Sequence, residues 1–184
     1  LHGFRLDFGT ARDVFGDLTA SFVQAARYDV ANYSLGLTAP FSDSVFNPRT
    51  TNMLSALGAA VSSGRNSLGT VVIFAAGNSF DKGSDVNLYG LQSSINVITV
   101  AALDRNGTFA DIRSENGYST SGAAILVSAP GTAIVSTDIV GSRGYSFSDH
   151  HIDQGTSFAA PMVAGVVALM LEANPRLGFR DVQE

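Results

Sequence analysis

The sequence predicts an α/β fold with a largely parallel sheet, on three observations. Residues 70–76, 96–102 and 123–128 are continuous apolar runs, as strands buried on both faces are, rather than alternating ones. Segments with helical spacing precede or separate them, and such alternation builds layered α/β domains. A last apolar run, residues 166–171, begins shortly after Gly155-Thr156-Ser157 and is hydrophobic on nearly all sides. It predicts a central helix buried on every face. A chain of 184 residues fits one domain, and 45% apolar residues suffice for a sizeable core.

The elements follow in order. Residues 3–8 read as a short strand. Residues 17–28 place Leu18, Phe22, Ala25 and Ala26 on one side of a helix. Residues 29–36 read as a strand ending in Gly36, and a loop rich in Thr, Pro, Ser and Asp runs on to residue 48. Residues 50–63 form a second amphipathic helix with Met53, Leu54, Leu57 and Val61 inward. Gly64 is expected to end it as a left-handed glycine. The strand at 70–76 leads into Gly77-Asn78, and the strand at 123–128 into Ala129-Pro130-Gly131. Ile134–Thr137 is a further short strand. The final helix carries Pro161 in its first turn, where N–H groups lack helical partners, and stops at Asn174-Pro175.

Composition excludes several classes. The net charge of −5 argues against a nucleic-acid surface. There is no cysteine, hence no disulfide framework or thiol chemistry. No run of 18 apolar residues predicts a membrane span, and the first residues carry no secretory-signal pattern. No repeat or linker divides the chain.

Chemistry concentrates at Ser157. Taken alone, it reads as an N-cap serine. That reading does not account for Gly155, or for the small residues of Ala159-Ala160-Pro161. The G-x-S-x-G elbow of esterases is excluded, because Ala159 stands where its last glycine belongs. A serine at a helix N-terminus is also well placed for chemistry that develops an oxyanion. Asn78 after Gly77 reads alone as a turn residue. Asn32-Tyr33-Ser34-Leu35-Gly36 reads alone as a buried strand end.

Read together, Gly155-Thr156-Ser157-Phe158-Ala159-Ala160-Pro161-Met162-Val163-Ala164-Gly165 resembles the serine motif of the subtilisin-like serine proteases, G-T-S-x-A-x-P-x-V-A-G. Ala75-Ala76-Gly77-Asn78 resembles their A-x-G-N motif, and Ser34-Leu35-Gly36 their S-[LW]-G strand. The likeness extends from about residue 29 to the end. It implies a partial subtilisin-like three-layer fold, with Ser157 as nucleophile and the Asn78 amide as oxyanion donor beside the Ser157 N–H. It implies a peptide substrate paired along Ser34, Leu35 and Gly36, with a pocket between these and Ala75, Ala76 and Gly77. The D-[ST]-G and H-G-[TS] motifs that supply the family's aspartate and histidine are not found. His2-Gly3 does not continue the pattern, and His150-His151 fall in what reads as a polar loop.

Residues 1–184 are therefore expected to be the C-terminal part of one catalytic domain, inactive and prone to self-association alone. The alternative is a non-catalytic, peptide-binding member of the same fold. The resemblance further implies export and no cofactor for the chemistry, while structural calcium is common in the family. Asp81, Asp85 and Asn87 share one loop that could contribute oxygen ligands. That loop reads first as solvated, and no ligands are assigned.

Residues 85–103 look closest to the kexin-like branch, which cuts after basic residues by means of acidic groups. At the matching positions this chain has Leu37-Thr38-Ala39, Tyr89 and Gly131. Cleavage after large apolar residues is expected instead, unless Asp43 folds back into the pocket.

Overall fold

The computed structural model describes residues 1–4, 6, 13–37, 39–48, 50–110 and 117–184. Strands β1 (Val30–Tyr33), β2 (Val71–Ala75), β3 (Ile98–Leu103) and β4 (Val127–Pro130) form a sheet in the order β1-β2-β3-β4. Every neighbouring pair is parallel. Helices α1 (Val14–Ala25) and α2 (Thr51–Ser67) pack together on one face. Helix α3 (Thr156–Ala173) crosses the other face and touches all four strands.

The pleat of β2 explains the layering. Successive side chains point to opposite faces of a strand. Val72 and Phe74 pack with Leu18, Phe22, Met53 and Leu57 from α1 and α2. Val71, Ile73 and Ala75 pack with Ala159, Ala160, Val167 and Leu171 from α3. Both faces of β2 are covered, so its sequence is apolar throughout. The expected α/β architecture with a parallel sheet is what the chain adopts.

Several expectations are corrected. Helix α3 is not buried all round. Its small residues Ala159 and Ala160 let it lie close on the sheet, but Met162, Val166 and Leu169 are 38%, 57% and 66% exposed. No described element covers that side. By length and composition α3 could cross a bilayer, with a mean hydropathy of 1.6. Here it forms a layer of the fold.

Gly64 is not left-handed. Its ψ of 159° ends the regular part of α2, and Arg65, Asn66 and Ser67 take the left-handed conformation instead. Gly64 lacks a side chain because a Cβ would collide with Thr70. The guanidinium of Arg65 holds this turn. It donates to the carbonyls of Leu177 (2.9 Å), Pro175 (3.1 Å) and Gly69 (3.3 Å) and to the Asp29 carboxylate (3.1 Å). These bonds tie the turn to the C-terminal segment, where the short α4 (Phe179–Gln183) buries Phe179 in the core.

The strand expected over 123–128 begins only at Val127. Ala124 and Ile125 pack instead against a small cluster of Ala76, Val86 and Ala101, outside the ladder. The expected strand Ile134–Thr137 (β5) exists but leaves the parallel sheet. It pairs antiparallel with β6 (His150–Asp153), so His150 and His151 lie on a strand rather than in a loop. Helix α1 starts and stops about three residues before the expected bounds. Of the strand expected at 3–8, Gly3, Phe4 and Leu6 are irregular, and Arg5, Asp7 and Phe8 lie outside the described residues.

Candidate active site

The carboxyl ends of β1 and β2 and the start of α3 converge on Ser157. In open parallel sheets this is where ligands bind. β1 delivers Ser34-Leu35-Gly36 just past Tyr33, and β2 delivers Ala76-Gly77-Asn78 just past Ala75.

Gly155 takes φ 153°, a backbone conformation that favours glycine, and a Cβ there would come within 3.0 Å of the Asn78 amide nitrogen. Both facts require the glycine that precedes Thr156. Thr156 is fully buried, and its backbone N–H and its hydroxyl both donate to Asn78 Oδ1, each at 2.9 Å. The hydroxyl also accepts the Gly77 N–H at 3.1 Å. A backbone N–H can only donate, so the Asn78 atom facing Thr156 must be the oxygen. The amide Nδ2 is thereby turned the other way, and it has no acceptor among the described residues. Thr120 supports the same turn, with its hydroxyl accepting Ser79 N–H at 3.1 Å and its own N–H donating to the Gly77 carbonyl at 2.9 Å.

Ser157 is partly exposed in the first turn of α3, where its N–H has no intrahelical acceptor. Its Oγ donates to the Ser34 carbonyl at 3.4 Å, a long contact. The Ser34 hydroxyl donates to the Ser157 carbonyl at 2.8 Å and accepts from Asn32 Nδ2 at 3.0 Å, which fastens the end of β1 to α3.

A cleft of about 390 Å³ opens beside Ser157. Leu35, Gly36, Ala75 and Gly77 line it together with Asn78 and Ser157. Of the other expected contact residues, Ser34 touches Ser157 directly, whereas Ala76 turns away into the cluster with Val86 and Ala101. Leu37, Pro40, Leu88, Lys82, Ser84 and Tyr89 complete much of the lining. Leu37 and Tyr89 stand at pocket positions that the kexin-like resemblance marked, whereas the sequence reading did not find Pro40, Leu88, Lys82, Ser84 or the role of Thr156. The lining residues sit on loops that only folding brings to Ser157, while Thr156 was visible inside the serine motif without a stated task.

Asp43 does fold back toward this region, but not as a free charge. It is fully buried, and its carboxylate accepts the N–H groups of Gly90 (2.8 Å) and Leu91 (2.7 Å). Among the described residues no imidazole or carboxylate bonds Ser157. His150 pairs with Asp149 at 3.0 Å, and His151 stacks on Tyr145. In the loop considered for calcium, Asp85 is engaged with the N–H of Asn87 at 2.8 Å. No three Asp, Glu or His side chains converge as an ion site among the described residues.

The chain is similar in sequence and in fold to known proteins. The chain is 40% identical to kexin of Saccharomyces cerevisiae over 128 residues, 70% of this chain and 15% of that one. It is 34% identical over 133 residues to proprotein convertase subtilisin/kexin type 7 of Homo sapiens, 70% of this chain and 16% of that one. A solved protease structure from Pseudoalteromonas arctica shares 29% identity at a TM-score of 0.69, covering 91% of this chain and 49% of its own. A cold adapted subtilisin-like serine proteinase shares 26% at a TM-score of 0.62, covering 92% and 51%. The family model for the subtilases, peptidase family S8, matches residues 9–184, and the chain belongs to that family.

Proposed function

We propose that residues 1–184 carry the nucleophile and oxyanion donors of a serine endopeptidase, with the general base and its carboxylate supplied by a segment outside this chain. The observation that carries this is the Thr156 lock on Asn78, which leaves Nδ2 facing away from its oxygen's partners beside Ser157. A missing covering segment accords with the exposed face of α3 and with coverage of only about half of the solved relatives.

In this reading Ser157 Oγ attacks the peptide carbonyl carbon as its proton passes to the base. Asn78 Nδ2 and the Ser157 N–H donate to the oxyanion. The C–N bond then breaks, the base returns the proton to the leaving amine, and water hydrolyses the ester. Removal of such a side-chain donor lowers kcat by about 10²–10³, a magnitude measured in a subtilase. The substrate backbone lies along Ser34, Leu35 and Gly36, and its side chain enters the cleft over Leu35, Ala75 and Gly77. Export accords with the kexin-type relatives, and no cofactor takes part in the chemistry.

Among the described residues no carboxylate lines the cleft, and Asp43 is already engaged. A lysine or arginine there lacks a partner, while an apolar side chain gains roughly 1.5–3 kcal/mol from burial. Cleavage is therefore after large apolar residues rather than basic ones.

The test uses the full-length protein. Ser157→Ala should abolish peptide hydrolysis and leave the fold intact, whereas a phosphonyl fluoride should label Ser157 only when the complete domain is present. Stoichiometric labelling of the isolated 184-residue chain would show that a base lies within it. An intact full-length protein that binds peptides but never reacts would favour the non-catalytic reading.

A further inference from the structure

Resting on the proposed peptide cleft, we propose that Lys82 makes it select an acidic side chain over its neutral isostere. Lys82 is the chain's sole lysine and lines the cleft that holds Ser157 and Asn78. Among the described residues its ammonium forms no ion pair, and none of the cleft-lining residues is acidic. Lys82 is thus the one charged side chain among the described residues that line the cleft, although Asp81 and Asp85 lie in the same loop.

The wall beside Lys82 adds a further donor. Ser84 Oγ and Tyr89 OH lie 2.9 Å apart. Two hydroxyls sharing one hydrogen bond use one proton between them and leave the other free to donate. An ammonium and a hydroxyl proton in one cleft are a donor set for a carboxylate, which accepts only. Tyr89 itself is buried, which holds its ring in place, and Lys82 is held at its root by its backbone N–H, which donates to the Ser79 carbonyl at 3.1 Å.

The apolar residues Leu35, Leu37, Pro40 and Leu88 line the same cleft. A side chain suited to both parts has an apolar stem and an anionic end, as glutamate has. Glutamine has the same shape without the charge, so the pair isolates the contribution of Lys82. Because Lys82 is exposed, the gain is that of a solvent-screened pair, roughly 2- to 5-fold at low ionic strength and less with added salt.

The experiment measures binding to the full-length Ser157→Ala protein, so that hydrolysis does not intervene. The probes are N-acetyl tetrapeptides that differ only in a C-terminal Glu-amide, Gln-amide, Leu-amide or Lys-amide. Glu should bind roughly 2- to 5-fold more tightly than Gln in low salt, with the ratio approaching 1 in high salt. Lys82→Met should bring the ratio to about 1, and Lys82→Glu should invert it and favour Lys. A Glu-to-Gln ratio at or below 1, a ratio that Lys82→Met leaves unchanged, or no binding of any probe overturns the proposal. Hydrolysis by the Ser157 protein is read separately. If the Glu preference holds while no peptide is ever cleaved, the endopeptidase reading fails and this one stands.

Discussion

Replacing Thr156 by valine removes one hydroxyl and keeps the shape of the side chain. The hydroxyl makes two bonds, to Asn78 Oδ1 at 2.9 Å and from Gly77 N–H at 3.1 Å, at a residue with no exposed surface. Loss of the bond to Asn78 costs about 0.5–1.5 kcal/mol, and the half-buried Gly77 N–H, left without its acceptor at the edge of the cleft, adds about 1. Thr156→Val should therefore destabilise the full-length protein by about 1.5–2.5 kcal/mol, read as a lower midpoint in urea denaturation. Asn78 keeps the bond from the Thr156 backbone N–H, so its amide is loosened rather than released. The fall in kcat should stay below the roughly 10²–10³ measured in a subtilase for removing the donor itself, with KM nearly unchanged. Thr156→Ser, which retains the hydroxyl, should recover most of both losses. Unchanged stability and kcat in Thr156→Val would refute the reasoning, as would a serine variant no better than valine.

Asp43→Ala strips the half-buried Gly90 and the buried Leu91 N–H groups of their acceptors. It should cost about 2–4 kcal/mol and raise hydrogen exchange at those two amides, while Asp43→Asn, retaining one acceptor, should cost less. Arg65→Met keeps the aliphatic stem but leaves the Gly69, Pro175 and Leu177 carbonyls without their donor. A loss of about 2–4 kcal/mol is expected by denaturation, and Arg65→Lys should restore little of it because one ammonium cannot reproduce the guanidinium fork. Tyr33 is stacked on Phe74 at 4.9 Å, and burial pushes its phenol up to about 12, against a smaller lowering by the Ser21 hydroxyl. The folded value lies above the unfolded one, so this stabilisation is complete below about pH 10 and is lost as pH rises through about 12. It amounts to about 3 kcal/mol, and Tyr33→Phe should flatten the alkaline limb of a stability–pH profile.

The architecture was legible because its signals are local. Continuous apolar runs are written into neighbouring residues, and β2 and β3 follow them closely. The spacing of Leu18, Phe22, Met53 and Leu57 likewise marks the helix faces that meet the sheet. Ser157 and Asn78 were legible for a similar reason, since each lies in a compact run whose small residues leave room for close backbone approach.

Other features depend on what each segment meets in space. Hydrophobicity alone predicted a helix buried all round, but burial needs a partner on each side, and α3 finds one only on the sheet side. Gly64 is excluded from bearing a side chain by Thr70 rather than by its own φ. Ala124 and Ile125 looked like strand because they are apolar, yet they spend that apolarity on Val86 and Ala101. The cleft is the clearest case. Leu35, Ala75 and Ser157 are far apart along the chain, and no period or motif records that Lys82 lines the same cleft as Ser157. Sequence determined which side chains were available for chemistry. Tertiary structure decided which way the Asn78 amide points, because only folding brings Thr156 against its oxygen.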